Sequence, residues 1–246
     1  HQMPPFLGQG LCAGIRDALN LAWKLDGVLR GAYPPSLLDT YQAERKPHAK
    51  AIVAHAKAFG LVIGELDAAK ARVRDAEMGA ALAAGRSETV RQRFIPALED
   101  GLLARQADGR LWPGAGQLFV QPLVVAADGV RRRLDDLTGA CWRQVTSDAR
   151  LLQQLDDVAR ARWQALAGAA LVMAAPGEAA AAGASCGLPD ATLAPAACDT
   201  LLADWLAGLG ARAVVVRPDH CVYGAAADAV DLAALLGQVA TALGRG

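Results

Sequence analysis

Apolar and polar positions follow two different rhythms along the chain. From about Cys12 to Leu29, Ile15, Leu19, Ala22 and Leu25 recur at helical spacing, and Leu21 and Trp23 widen the same face. This pattern predicts a helix with those residues on its core side. Gly31 and Pro34-Pro35 end it. Ser36 suits the N-cap of a second helix, Leu37 to about Phe59. Pro47 lies inside that helix and predicts a kink, or two shorter helices meeting there. Helical patterning continues through 61–105, broken near Gly85 and Pro96, with Ser87-Glu88 fitting a helix start. Ahead of the first helix, Pro4-Pro5 and Gly8-Gln9-Gly10 predict a loop.

At about Asp108 the rhythm changes. Pro113, Gly114 and Gly116 form a loop, followed by short β-rich runs at Leu118–Val125 and Cys141–Val145. A short helix is expected at Ala149–Ala159 and a central strand within Leu166–Ala174. Residues 175–197, rich in Ala, Gly and Pro, read as a long loop. Then come a helix (Asp199–Leu209), a strand (Ala213–Val216), a Pro218-Asp219 turn, a short strand (Cys221–Tyr223) and a last helix (Val230–Leu243). Val214-Val215-Val216 is β-branched throughout, as suits a strand covered on both faces. The expected organisation is a helical unit at 1–107 and a small α/β unit on a mixed sheet at 108–246.

Composition narrows the function. The chain has 246 residues, 25 Lys+Arg against 25 Asp+Glu, and 53% hydrophobic residues. It is too apolar for disorder, has no basic excess for nucleic acid, and has no uncharged run of the roughly 18 residues that a membrane helix needs. The first residues lack the basic and apolar regions of a signal peptide, so a cytoplasmic protein is expected. Cys12, Cys141, Cys186, Cys198 and Cys221 are widely spaced, with no pair two residues apart, and read as free thiols. The four histidines (His1, His48, His55 and His220) form no metal motif.

The stretch His1–Leu25, HQMPPFLGQGLCAGIRDALNLAWKL, has the strongest chemical character. It is a proline-stiffened loop feeding a helix N-terminus, where free N–H groups carry partial positive charge. Glycines at 8, 10 and 14 permit close approach by a flat or anionic ligand. No acid, base or nucleophile stands out, so it reads as a cradle. Elsewhere the plain reading prevails. Asp17 reads as a solvated or capping carboxylate near the helix start. Asn20 and Lys24, at i,i+4, can pair on one face, and Trp23 belongs to the core. Glu44, Arg45, Lys46, His48 and Lys50 read as a solvated helix face. Arg16 and His55 read as exposed helix residues, Arg131-Arg132-Arg133 as a basic turn, and His220 as part of a hairpin with no orienting group close in sequence.

The string as a whole resembles the second flavin-binding motif of the class A FAD-dependent aromatic hydroxylases. His1, Pro4, Pro5, Gly8, Gly10, Gly14, Asp17, Asn20, Leu21, Lys24 and Leu25 match its order. Tyr41, Glu44, Arg45 and Pro47, and later Arg217-Pro218-Asp219 with Val222 and Gly224, resemble the 3-(3-hydroxyphenyl)propionate hydroxylase and phenol hydroxylase branch. The resemblance implies an α+β to α/β protein: the helical C-terminal portion of an FAD-binding domain followed by a thioredoxin-like α/β domain. Without a Cys-x-x-Cys pair, that second domain is expected to have no dithiol activity.

In such enzymes NAD(P)H reduces FAD, and the reduced flavin with O2 delivers an electrophilic oxygen to a phenolic ring. The resemblance implies that Pro5 and the Gly8–Gly10 loop line the flavin, and that the Leu11 and Cys12 amides bond its O2/N3 edge. Cys12 departs from the Asn or Ser often found there. The Gly-Asp pair expected before His1, the GxGxxG fold and a middle Asp-Gly motif are not in this sequence. The chain is therefore expected to be a fragment whose partner is the N-terminal FAD and substrate half of the same protein. Alone it is expected to be inactive and to carry no resident cofactor, with low-affinity flavin binding the most it can show. A small aromatic substrate and a homodimer are further expectations. Two other readings stay open: a non-enzymatic thioredoxin-like interaction module, and a polyketide hydroxylase of the same superfamily.

Overall fold

The computed structural model describes residues 1–86, 95–174, 181–182 and 192–245. A 3-10 turn at Pro5–Leu7 leads into helix α1 (Gly10–Leu29). A second 3-10 turn, Pro35–Leu38, precedes α2 (Asp39–Ile63), so Ser36 sits inside a turn and not at the helix cap. Helix α2 runs unbroken through Pro47 instead of splitting into two. Helix α3 (Ala68–Ala83) starts on Asp67, whose side chain accepts from the Ala69 and Lys70 amides. None of its residues is buried. The helix start expected at Ser87-Glu88 and Cys186 lie outside the described residues. Residues 95–107 are irregular chain and not helix, and tie into the sheet through Ala104 N–H to the Tyr223 carbonyl at 3.1 Å.

The second half is a mixed sheet with helices. Strands β1 (Leu123–Val125), β2 (Arg131–Arg133) and β7 (Ala196–Ala197) form a small antiparallel sheet ordered β2-β1-β7. The triple-arginine segment is thus a strand and not a turn. The larger sheet is ordered β5-β6-β4-β3-β8-β9, from β3 (Arg143–Thr146), β4 (Ala169–Val172), β5 (Ala181–Ala182), β6 (Thr192–Ala194), β8 (Ala213–Val216) and β9 (Val222–Ala226). Strand β3 pairs parallel with β4 and antiparallel with β8. Strands β5, β6 and β7 occupy part of the stretch read as loop, where Ala, Gly and Pro hide the β signal.

Short helix α4 (Leu134–Thr138) follows β2. The single helix expected at Ala149–Ala159 is two, α5 (Ala149–Gln153) and α6 (Asp157–Ala165), started by the side chains of Asp148 and Asp156. Helices α7 (Leu201–Gly208) and α8 (Ala229–Ala242) fall close to expectation.

Val214, Val215 and Val216 are fully buried, with Val215 facing one hydrophobic cluster and its neighbours the other. The first cluster joins Trp23 of α1 and Leu37 to Trp142, Tyr223 and the inner face of α8 (Leu232, Leu235, Leu236 and Val239). Edge-on aromatic contacts carry it across: Trp23 to Trp142 at 5.8 Å and Trp142 to Tyr223 at 5.7 Å. One core therefore spans the helices and the sheet.

The apolar face assigned to α1 holds at Trp23, which is buried in the core as expected, and fails at most of its other positions. Ile15, Leu19 and Leu25 are exposed, while Ala13, Asp17, Asn20, Trp23, Lys24 and Gly27 are buried. Periodicity finds a stripe but not the side that is covered, and here the covered side is polar.

Candidate functional site

The loop before α1 is pinned at two points. Leu7 is buried, and the Phe6 ring lies where a Cβ on Gly60 of α2 would stand, 2.5 Å from it. Gly8 then turns the chain with φ +62°, a conformation natural to glycine. Pro5, Gly8, Gly10, Leu11 and Cys12 all end up exposed, together at the N-terminal end of α1. Leu11 is 77% exposed.

Two observations test whether this end fits a flavin edge. Gln9 makes no side-chain cap and the first turn carries no acid, so its N–H groups keep their donor capacity. A Cβ on Gly10 would meet only Met3 Cγ at 3.7 Å, and one on Gly14 nothing within 4 Å. The space over both glycines is open, so the chain's own packing does not require them. A flat acceptor-edged group fits there.

His1 stands beside this end. Its Nδ1 contacts Asp17 Oδ2 at 2.7 Å, and Asp17 Oδ1 accepts from Arg45 Nε at 2.7 Å. Asp17 is thus a buried link between the loop and α2, not a solvated cap. His48 Nδ1 donates to the Pro96 carbonyl at 3.0 Å. Burial and the charge of Arg45 press its pKa down to about 4, so the ring is neutral near pH 7.

Behind α1 lies a buried ionic cluster. Glu44 is 1% exposed, Lys24 and Arg217 fully enclosed. Lys24 Nζ donates to Asn20 Oδ1 at 3.0 Å and to Glu44 Oε2 at 2.8 Å. The Asn20 amide donates to Glu44 at 2.6 Å and to Asp219 at 2.8 Å. Arg217 Nε reaches Asp219 at 3.0 Å. Its Nη1 donates to Glu44 and to the Leu102 carbonyl, and its Nη2 to Glu44 and Asp219 at 2.6 Å each. All the donors of the guanidinium are used.

Two cations face two carboxylates, so the cluster is neutral. Burial alone would raise the Glu44 pKa, but Arg217, Lys24 and the Asn20 bond hold it at about 2. Burial and the charge of Arg217 lower Lys24 to about 8 against the pull of Glu44. Burial would also raise Asp219, but Arg217 holds it below its ordinary value.

The charged run at 44–50 is therefore not one solvated face: Glu44, Arg45 and His48 are buried, while Lys46 and Lys50 are exposed. The Asn20–Lys24 pairing forms as expected. His220, at φ +64°, does have orienting neighbours, Asp135 at 3.0 Å and Arg143 at 2.9 Å, both distant in sequence. His55 is exposed on α2, and Arg16 is half-buried. Cys12, Cys141, Cys198 and Cys221 are free thiols. Burial pushes the Cys221 thiol up to about 12, which makes it inert. Among the described residues no group of His, Cys, Asp and Glu could hold a metal ion, and no helix is long and apolar enough to cross a membrane.

Residues 1–56 match the profile of an FAD binding domain and residues 116–242 that of the HcaD C-terminal domain. A probable NADH-specific resorcinol 4-hydroxylase of Rhodococcus jostii (strain RHA1) is 37% identical over 245 residues, covering 99% of this chain and 41% of that protein. A 3-(3-hydroxy-phenyl)propionate/3-hydroxycinnamic acid hydroxylase of Burkholderia vietnamiensis (strain G4 / LMG 22486) is 38% identical over 249 residues, covering 95% and 43%. Among solved structures, the flavin-dependent monooxygenase PieE in complex with FAD and substrate superposes with a TM-score of 0.66 at 24% identity. It covers 100% of this chain and 46% of that one. Aklavinone-11 hydroxylase with FAD and aklavinone gives 0.60 at 24% identity over 99% of this chain and 42% of that one.

These findings define a class of protein, the FAD-dependent aromatic hydroxylases. The chain belongs to that family, in the branch that ends in an HcaD C-terminal domain and includes the 3-(3-hydroxyphenyl)propionate hydroxylases. It spans about two fifths of the length of the curated relatives it matches.

Proposed function

We propose that this chain forms one wall of the flavin site in an FAD-dependent monooxygenase that hydroxylates a phenolic compound of the 3-hydroxyphenylpropionate kind, with NAD(P)H and O2. The uncapped, open N-terminal end of α1 carries this reading. The N–H groups of Leu11 and Cys12 would hold the O2/N3 edge, with Pro5, Gly8 and Gly10 against the ring. The positive end of the α1 dipole favours negative charge at that edge. His1, oriented by Asp17, stands beside the loop. Bound FAD would supply the redox and oxygen chemistry; the residues here orient it and supply no acid or base.

On this reading residues 1–107 are the helical end of the FAD-binding domain, and residues 108–246 a thioredoxin-like domain. The partner is the preceding FAD and substrate half of the same protein, which the exposed leucines of α1 suit as a contact face. A cytoplasmic setting and a homodimer belong to the same reading. The curated relatives, at 37% and 38% identity, favour a simple phenol over a polyketide.

Gly10→Val tests the proposal. A Cβ there has room in the fold, so the circular-dichroism spectrum and melting point should match the parent chain. FAD affinity, read by flavin fluorescence, should fall by at least about tenfold, a loss of roughly 1.4 kcal/mol. Equal affinity in both proteins would remove Gly10 from the flavin site.

A further inference from the structure

The sheet-bearing half reaches α1 in two ways: Trp142 packs edge-on against Trp23 at 5.8 Å, and the turn between β8 and β9 makes the polar contacts. We propose that Arg217 and Asp219, in the turn between β8 and β9, are positioning residues for the flavin-facing end of α1: they clamp α1 against α2 and so set where the Leu11 and Cys12 amides stand. This rests on the reading above and gives the second half of the chain a role in it.

The geometry of α1 calls for such a clamp. Its apolar stripe faces outward, and on the inner side Ala13 and Trp23 are the buried apolar side chains, with Val28 partly buried against the core. Apolar contact is non-directional and would allow a helix to slide or roll. The polar contacts are directional. They hold α1 at Asp17, Asn20 and Lys24, three successive points on its inner face, and each reaches α2 through Arg45 or Glu44.

Arg217 closes the set from behind. It grips both oxygens of Glu44, and Asp219 takes the second proton of the Asn20 amide. The Arg217 guanidinium also lies 5.6 Å from the centre of the Trp23 ring. From Asn20 to Leu11 is about 14 Å along a helix at 1.5 Å per residue, a stiff lever over which a tilt at the clamp displaces the tip.

The experiment compares amide hydrogen exchange and thermal stability in the 246-residue chain with those of Arg217→Lys, Arg217→Met and Arg217→Met/Glu44→Gln. The double substitution keeps the cluster neutral but removes the clamp. A clamp predicts exchange at least about tenfold faster over Ala13–Ala18, the first hydrogen-bonded turns of α1, with β3 and β8 changed by less than about twofold. It also predicts that the double variant regains thermal stability relative to Arg217→Met while Ala13–Ala18 stay fast.

Unchanged exchange in α1, an equal rise across both halves, or failure of Arg217→Lys to fold would each overturn the proposal. So would full recovery of α1 protection in the neutral double variant, because the cluster would then be only a buried charge balance. None of these readouts needs flavin. A wild-type chain that shows no FAD binding would count against the proposed function, while the exchange test would still decide the clamp.

Discussion

Glu44 accepts five hydrogen bonds from four residues, and its charge is balanced by groups that have no other solvent. Removing one partner of such a set leaves buried charge unpaired. Glu44→Gln is therefore expected to cost about 3–5 kcal/mol of stability in urea denaturation. Acid should act through the same region. His48 has a folded pKa near 4 against 6.5 when unfolded, so the unfolded chain binds more protons between those values. Glu44, near 2 when folded and 4.5 when unfolded, behaves likewise at lower pH. Both contributions are complete above pH 6.5, and stability drops first through the His48 window and then through that of Glu44. In His48→Gln the melting temperature should change less between pH 6.5 and 4 than in the parent chain. The proposed cradle residues, Pro5, Gly8, Gly10, Leu11 and Cys12, come from a local motif, and the fold leaves them exposed together at one end of α1. The cluster was not legible in the sequence. Glu44 and Arg45 looked like surface charges, since their neighbours in sequence say nothing about Arg217, which arrives from the far end of the chain.

Among the elements, α1 departs most from its pattern. Leu11, Ile15, Leu19, Leu25 and Leu29 form an outward stripe that the described residues leave uncovered. Because these side chains add little to the stability of this chain, replacing Leu11, Ile15 and Leu29 with Ser should change stability by less than about 0.5 kcal/mol per site. Binding of a hydrophobic dye should fall clearly in the same variant. A large loss of stability would show that the stripe is structural after all. Strand β8 is legible residue for residue, because three β-branched residues in a row suit a doubly covered strand. Strands β5 to β7 are not, because alanine carries no β preference and their pairing is decided by neighbours. The uninterrupted α2 also escaped the pattern. Its Pro47 lacks an N–H, but burial of Glu44, Arg45, His48, Ala49 and Ile52 holds the helix on both sides of it.

At the scale of the whole molecule, the change of texture near Asp108 was legible, but the way the two parts are joined was not. Trp23, Trp142 and Tyr223 meet only in the fold, and the cluster of Glu44 and Arg217 lies beside them. A shared core of this kind should make the chain unfold as one unit. Calorimetry is expected to give a single transition whose calorimetric and van't Hoff enthalpies agree. An amide NMR titration of the chain with FAD tests most directly the proposal that the open end of α1 faces a flavin. Saturable shifts at Leu11 and Cys12, absent in Gly10→Val, are the expected result. Shifts confined to other surfaces, or none at millimolar FAD, would contradict the account.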